Sequence, residues 1–238
     1  MILEVRKSMK KNVLWVLIGI VTIALVSAVS FFIFNKDYVR TGIKDVDLNR
    51  AKKLMVVAHP DDETIWGGSH LLKDDYLVVC VTCGRNKIRN HEIEEAMKIS
   101  KDQVIMLGYP DKTFGKRNDW HSYKKQIEKD LNRIINSKNF ELIATHNPNG
   151  EYGHVHHQMT SQAVTDVVRN NHMENKLIYF GKYYSKKIIG KYEDHLEEID
   201  NRKEKNKMLE VYKSQAFIHD YFGQMFKHEM WIPFKDWK

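Results

Sequence analysis

The sequence predicts an α/β domain with a Rossmann-like, mainly parallel sheet and helices on both faces, preceded by one N-terminal transmembrane helix. Short apolar runs alternate with segments of helical periodicity, which is the pattern of such a sheet. Histidines and acids cluster directly after the apolar runs, and one long uncharged apolar segment stands near the N-terminus. The 238 residues are enough for one domain with a substantial core.

The N-terminal segment, residues 13–34, contains no charged side chain and is about as long as a helix that crosses a bilayer. It follows the basic residues Arg6, Lys7, Lys10 and Lys11. The positive-inside rule therefore predicts that residues 1–12 form a cytoplasmic tail and residues 13–34 an uncleaved signal anchor of the cell membrane. The following domain is then extracytoplasmic. A cleaved signal peptide is the alternative, although its apolar core is usually shorter.

After this segment, the polar residues 35–49 predict a stalk, and residues 50–238 the domain itself. The net charge is +7, but no basic stripe is interleaved with aromatic residues, so the sequence disfavours a nucleic-acid partner. Cys80 and Cys83 lie on a predicted strand, where residues i and i+3 point to opposite faces. This spacing favours two separate small apolar side chains over a disulfide.

The elements of the domain follow one another in β-α order. Strands are predicted at 53–58, 76–82, 103–108, 140–146 and 176–184. Helices are predicted at 64–73, 89–100, 120–138 and 157–170. This alternation predicts a parallel sheet with right-handed crossovers. Beyond residue 185 the chain is charged and then rich in aromatic residues, and its pattern does not predict a topology.

Ligands of such sheets bind beyond the carboxyl ends of the strands. The string HPDDE (59–63) follows the first strand, and His146 leads into GEYGHVHH (150–157) after the fourth. Two histidines and one carboxylate with an open position are the usual donors of a catalytic zinc site, and a cation would stabilise the consecutive acids. Alternatively, the acids 61–63 are only the N-cap and first turn of a helix.

Several strings resemble the PIG-L/LmbE-like family of zinc-dependent de-N-acetylases, over roughly residues 50–215. They are AHPDDE (58–63), RNHE (89–92), LGYPD (107–111), GEYGH (150–154), GHVHH (153–157) and, in a structural role, MLEVYKSQ (208–215). The resemblance implies a hydrolase that removes an acetyl group from an N-acetylglucosamine-type glycolipid, glycan or glycoconjugate with zinc-activated water. Another divalent metal could replace zinc.

The resemblance also implies roles for particular residues. Three are metal ligands: His59, Asp62 and His157. Three act in catalysis: Asp61 as general base, His154 in polarising the substrate carbonyl or protonating the product, and Tyr152 at the developing oxyanion. Two contact the sugar: Arg89 and Asp111. Apart from the resemblance, we expect three further residues to lie behind the ligands and orient them: Glu63, His146 and His156. The chain has Val155-His156 where the family commonly has Pro-Asp, which leaves open whether His156 or His157 binds the metal.

Other functions remain possible on the same residues. An amidase could cleave a larger acyl group or a thiol conjugate, and the size of the pocket would decide between the two reactions. A non-catalytic sugar-binding membrane protein is a further alternative. A nucleotide-binding domain is disfavoured because no G-x-G-x-x-G string follows the first strand.

Overall fold

The computed structural model describes residues 2–35 and 41–238, and side chains within 12–30 and 41–238. The chain divides into two compact units, Met1–Tyr38 and Val39–Lys238. Described residues of the first unit form helix α1 (Ile2–Asn35), in which Asn12–Ser30 is long and apolar enough to cross a membrane. Signal sequences pass the same test of length and composition. Residues 36–40 of the predicted stalk lie outside the described residues.

The second unit contains the remaining helices and all strands among the described residues. The helices are α2 (Asp62–Leu71), α3 (Lys87–Ser100), α4 (Lys124–Ile135), α5 (Gly150–Gly153), α6 (Val155–Asn170), α7 (Arg202–Leu209) and α8 (Ile218–Phe222). The strands are β1 (Lys53–Val57), β2 (Tyr76–Thr82), β3 (Gln103–Tyr109), β4 (Lys112–Thr113), β5 (Lys116–Arg117), β6 (Ile143–Thr145), β7 (Leu177–Phe180) and β8 (Trp231–Pro233).

The main sheet has the strand order β3-β2-β1-β6-β7-β8. The strands from β3 to β7 in this order are parallel to one another, and β8 is antiparallel to β7. The predicted mainly parallel α/β fold is therefore confirmed. Every residue of β2 is buried, which explains why this strand is a continuous apolar run rather than an alternating one. Helices α2, α3 and α7 pack together, and α4 packs on α6.

Tertiary contacts shift several element boundaries away from the sequence prediction. Helix α4 begins at Lys124 rather than at residue 120. The reason is Trp120, which is buried at a left-handed φ of 52° and donates its indole N–H to the carbonyl of Pro110 at 2.8 Å. Strand β7 ends at Phe180, before the predicted residue 184. The aromatic C-terminal segment supplies β8, whose pairing with β7 the pattern did not reveal.

The segment before β1 lies against the domain from residue 41 onward. The amide of Thr41 donates to the carbonyl of Met106 at 3.3 Å, and the amide of Asp47 to the side chain of Gln103 at 2.8 Å. Ala51 is buried. The described part of the predicted stalk therefore contacts β3.

Both cysteines are free thiols. Cys80 is buried and Cys83 is half-buried. Burial raises the pKa of the Cys80 thiol well above its usual value, which makes this thiol unreactive.

The strand order reverses between β1 and β6. From β1 the chain adds strands on one side to β3, and from β6 it adds them on the other side to β8. In an open α/β sheet this reversal opens a crevice at the carboxyl ends of the two central strands. The string HPDDE follows β1 and His146 follows β6, so the topology places both predicted motifs at this crevice.

Candidate active site

The turn between β1 and α2 presents Asp61 in a strained conformation. Its φ is 115°, a left-handed value that non-glycine residues rarely adopt. The carbonyl of Asp61 accepts the amides of Thr64 and Ile65 at 3.1 and 2.9 Å, but its side chain makes no capping hydrogen bond. The Asp61 carboxylate is therefore not used as a helix cap.

Asp62 lies between two predicted ligands. One carboxylate oxygen is 3.3 Å from His59 Nδ1, and the other is 3.2 Å from His157 Nε2. Asp62 and His157 are buried, and His59 is half-buried. The structure thus brings together the three side chains that the sequence predicted as metal ligands.

The outer ring nitrogens of both histidines are engaged elsewhere. His157 Nδ1 lies 2.5 Å from a carboxylate oxygen of Glu151, so the proton of a neutral ring sits on Nδ1. His59 Nε2 lies 3.1 Å from His156 Nδ1, which must accept because His156 Nε2 donates to the carbonyl of Asn118 at 2.7 Å. In these tautomers, the lone pairs of His59 Nδ1 and His157 Nε2 point at the Asp62 carboxylate.

This convergence of lone pairs fits a bound cation. His157 Nε2 is buried and forms no hydrogen bond with any residue that the structure describes. A site of imidazole nitrogens and a carboxylate suits zinc and related divalent metals. The described residues offer three overlapping donor groups: His59, His154 and His157; His59, Asp111 and His156; and Asp62, His146 and His157. The first group shares His59 with the second and His157 with the third.

Glu151 is a residue whose role the sequence did not reveal. One oxygen of its carboxylate contacts His157 Nδ1 and, at 3.0 Å, His146 Nδ1, while the other accepts the amide of Asn147 at 2.9 Å. Glu151 has a left-handed φ of 56°, and Gly153, two residues later, has a φ of 90°. Outer carboxylates of this kind fix the tautomer and raise the basicity of a ligating histidine. The one indication of Glu151 in the sequence is that it belongs to the string GEYGH.

The neighbouring acids Asp61 and Asp62 lie in opposite electrostatic environments. Burial raises the pKa of Asp61 well above its usual value, and the charge of Arg89 offsets this only in part. Burial would also raise the pKa of Asp62, but His157 and His146, when protonated, hold it well below its usual value. A bound cation would act on Asp62 in the same direction. Environments that separate two carboxyl pKa values are typical of an acid–base pair with distinct roles.

His154 is the N-cap of α6. Its Nδ1 accepts the amide of His156 at 3.2 Å and an N–H of Arg117, also at 3.2 Å. Burial, together with the nearby His157 and His59, lowers the pKa of His154 to about 2. The ring is therefore neutral, and its proton sits on Nε2. Arg117 comes from the β4–β5 hairpin, and no sequence signal pointed to it.

His156 is buried and points away from Asp62. Its ring stacks on Trp120 at 4.1 Å between centroids, with an interplanar angle of 5°. The Asn118 contact and this stacking fix the ring beside His59. Asp111 Oδ1 lies 3.5 Å from both His59 Nε2 and His156 Nδ1. These contacts favour His157 over His156 as the ligand next to Asp62.

Arg89 contacts the strained turn. Its guanidinium lies 3.3 Å from the Asp61 carboxylate and donates to the carbonyl of Pro60. Its Nε is 3.9 Å from Glu92, and both side chains are largely buried, so this is not a surface ion pair. Arg89 thus orients the carboxylate of Asp61.

Glu63 is buried and holds the turn through hydrogen bonds. Its carboxylate accepts the amide of Asp61 at 3.0 Å and the hydroxyls of Thr64 and Tyr212. Tyr212 lies in the string MLEVYKSQ, so this distant segment is tied to the site. The contact to a ligand histidine that we expected from Glu63 is made by Glu151.

All eleven predicted residues lie in or directly behind one cleft of about 350 Å³. Seven of them line it: His59, Asp61, Asp62, Arg89, Asp111, Tyr152 and His154. The other four are buried behind it: Glu63, His146, His156 and His157. The cleft is also lined by residues the sequence did not single out: Ile65, Lys112, Arg117, Gln215, Phe217, Ile218, Tyr221 and Phe222.

The sequence of this region matches the model of the family PIG-L, GlcNAc-PI de-N-acetylase, over residues 54–168. Residues 54–168 belong to the PIG-L family. The matched region runs from β1 to near the end of α6, and therefore includes both motifs of the site. The predicted family resemblance is confirmed.

A relative of this chain is the uncharacterized protein L374 of Acanthamoeba polyphaga mimivirus. The two are 31% identical over 135 residues, which is 50% of this chain and 58% of the relative. The chain thus covers little more than half of that protein.

Several solved structures have a similar fold. One is the N,N'-diacetylchitobiose deacetylase of Pyrococcus horikoshii, with a TM-score of 0.57 and 17% identity over 79% of this chain and 86% of that chain. The A40926 pseudoaglycone deacetylase Dbv21 has a TM-score of 0.56 and 16% identity, covering 72% and 85%. The hydratase GalB of Pseudomonas putida has a TM-score of 0.52 and 15% identity, covering 73% and 83%. Since a hydratase shares the fold, the fold alone does not fix the reaction.

Proposed function

We propose that this chain is a metal-dependent de-N-acetylase that hydrolyses the acetamide of an N-acetylglucosamine-type sugar, with zinc as the metal. The observation that carries this proposal is the convergence of His59 Nδ1 and His157 Nε2 on the Asp62 carboxylate, beside the strained and uncapped Asp61. The PIG-L match supports the reaction class.

In this proposal His59, Asp62 and His157 hold the metal. A divalent cation bound by them supplies a Lewis acid that polarises the amide carbonyl and makes water more acidic. Glu151 keeps the Nδ1 proton on His157, so that Nε2 presents its lone pair to the cation.

Asp61 is the proton acceptor of the proposed reaction. Its raised pKa brings a carboxyl group closer to neutral pH, where a general base both accepts and returns a proton efficiently. Arg89 restrains the carboxylate at 3.3 Å. Asp61 takes the proton of the attacking water and returns it to the leaving amine.

His154 and Tyr152 stabilise the oxyanion. Neutral His154 carries its proton on Nε2, so it donates a hydrogen bond rather than a proton, and we assign it to the carbonyl oxygen. Burial and the nearby Asp62 raise the pKa of Tyr152, so its hydroxyl stays protonated and can donate as well. Tyr152 lines the cleft and is 42% exposed, which leaves it accessible to a ligand.

The cleft favours a small acyl group. Its volume of about 350 Å³ is near the lower limit for ligand pockets, so one sugar ring with a short acyl group fits better than a large acyl chain. Asp111 lines the cleft and is only half-buried, so we assign its carboxylate to accept a sugar hydroxyl.

The test is acetate release by the purified full-length protein from N-acetylglucosamine and N,N'-diacetylchitobiose. We expect release that is abolished by a chelator and restored by zinc. Failure of the metal-loaded protein to release acetate from any acetylated sugar, or release that is insensitive to the chelator, would refute the proposal.

The location is part of the proposal. Helix α1 contains a segment able to cross a membrane, and basic residues precede it. We propose a single-pass cell-membrane protein with a cytoplasmic N-terminus and an extracytoplasmic domain. We remove the layers outside the cell membrane, leave that membrane intact and add protease, which should digest the domain. A domain protected from the protease would indicate the opposite orientation.

A further inference from the structure

A short hairpin forms part of the rim of the cleft. Strands β4 and β5 pair antiparallel, with Thr113 opposite Lys116, and are joined by Phe114 and Gly115. Both turn residues are left-handed, with φ values of 50° and 77°. This turn favours Asn-Gly, and a phenylalanine at its first position is strained.

Phe114 does not contribute to the core. Its side chain is fully exposed at the tip of the hairpin, at 101% of its reference area. A large apolar side chain that is both strained and fully hydrated weakens the folded state rather than stabilising it. Its presence is explained if the tip has an apolar partner outside the domain.

Two further aromatic side chains are exposed at the same cleft. Phe217 and Tyr221 are 51% and 65% exposed and line it, while Ile218 and Phe222 of the same segment are buried. Segment 217–222 thus has an anchored face and an exposed aromatic face. We call the hairpin 112–117 and the exposed side chains of 217 and 221 the rim.

Positive charge accompanies these aromatic residues. Lys112 and Lys116 are exposed and form no ion pair with any residue that the structure describes. Arg117 turns inward to His154 instead. The hairpin therefore offers two free ammonium groups beside its aromatic tip.

We propose that the rim docks on an anionic lipid surface, with Phe114, Phe217 and Tyr221 entering the interface and Lys112 and Lys116 contacting lipid headgroups. Aromatic side chains and lysines together are typical of protein surfaces that bind membrane interfaces. A soluble polyanion would pair the lysines but leave the aromatic rings in water. A bilayer satisfies both, and Asn12–Ser30 gives the chain a candidate span of its own.

Docking would be independent of the reaction proposed above, so it is tested without turnover. The full-length chain is reconstituted in nanodiscs of phosphatidylcholine alone or mixed with phosphatidylglycerol, and hydrogen exchange of segments 111–118 and 216–222 is followed by mass spectrometry. We expect slower exchange of both segments in the anionic discs than in the neutral ones.

Variants separate the rim from general electrostatics. The double variant Lys112→Glu/Lys116→Glu, and Phe114→Asp alone, should lose the protection. Lys125→Glu/Lys129→Glu makes the same charge change on exposed residues of α4 and should keep it.

Three results would overturn the proposal. The first is equal exchange in neutral and anionic discs. The second is protection that survives the hairpin substitutions. The third is equal protection of the detergent-solubilised chain by soluble polyphosphate, which would assign the rim to a polyanionic polymer instead of a membrane.

Discussion

The cleft has a buried floor, by which we mean Asp62, His157 and Glu151, and an exposed rim. The two regions differ in how firmly their side chains are held. On the floor, Asp62, His157 and Glu151 are buried, and each polar contact holds the next side chain in one orientation. On the rim, Phe114 and Tyr221 are mostly exposed. The floor is preorganised for chemistry, whereas the rim is suited to contact something outside the domain. Substitutions on the floor should therefore have large effects, and those on the rim small ones.

The largest effect is expected at Asp61. Replacing Asp61 by Asn keeps the shape of the turn but removes the proton acceptor, so turnover should fall by roughly 10²–10⁴-fold. Bound zinc, measured by metal analysis, should not change, because Asp61 is not a proposed ligand. Asp75→Asn, on an exposed ion pair with Lys52, serves as the control and should leave turnover unchanged. Near-normal acetate release by the metal-loaded variant would exclude the base role.

The next effect concerns Glu151. In Glu151→Gln the two imidazole Nδ1 groups lose their shared charged acceptor, so zinc affinity should fall by about 10–100-fold. Competition with a fluorescent chelator measures this without turnover. Glu141→Gln, at an exposed position, is the matched control. Unchanged affinity would mean that His157 is held in place by packing alone.

A smaller effect, on stability, is expected at Tyr212, which lies behind the Asp61 turn. Its buried hydroxyl donates to Glu63, which in turn holds the amide of Asp61. Tyr212→Phe should lower the free energy of unfolding by about 1–3 kcal/mol, because the Glu63 carboxylate loses a buried donor. Urea unfolding measures the loss. A variant as stable as the parent would show that this hydrogen bond does not support the floor.

The smallest effect is expected on the rim, where a substitution should raise the stability of the chain rather than lower it. Phe114→Asn places a residue that tolerates left-handed φ at the hairpin tip, so stability should rise by less than about 1 kcal/mol. Tyr221→Asn, in α8, has no such strain to relieve and should give no gain. If Phe114→Asn destabilises the chain as much as Tyr212→Phe, the rim is part of the core after all.

Much of this could be predicted from residue order alone. The apolar runs and their spacing predicted five strands of a mainly parallel sheet, because fully buried strands must be apolar throughout. The strings HPDDE and GHVHH predicted which side chains meet, because both follow strands whose carboxyl ends share one edge. The strand order then brought His59 and His157 to the same carboxylate.

Only the tertiary structure decided the rest. It placed His156 and His157 differently, because Trp120 and Asn118, both distant in sequence, hold the His156 ring beside His59, while His157 faces Asp62. It also assigned to Glu151 the role expected of Glu63, and brought Arg117 to His154. The sequence by itself determined which residue types stand at the ends of the strands. Ring orientation and hydrogen-bond partners depend on side chains that approach from other elements, so only the folded chain determines them.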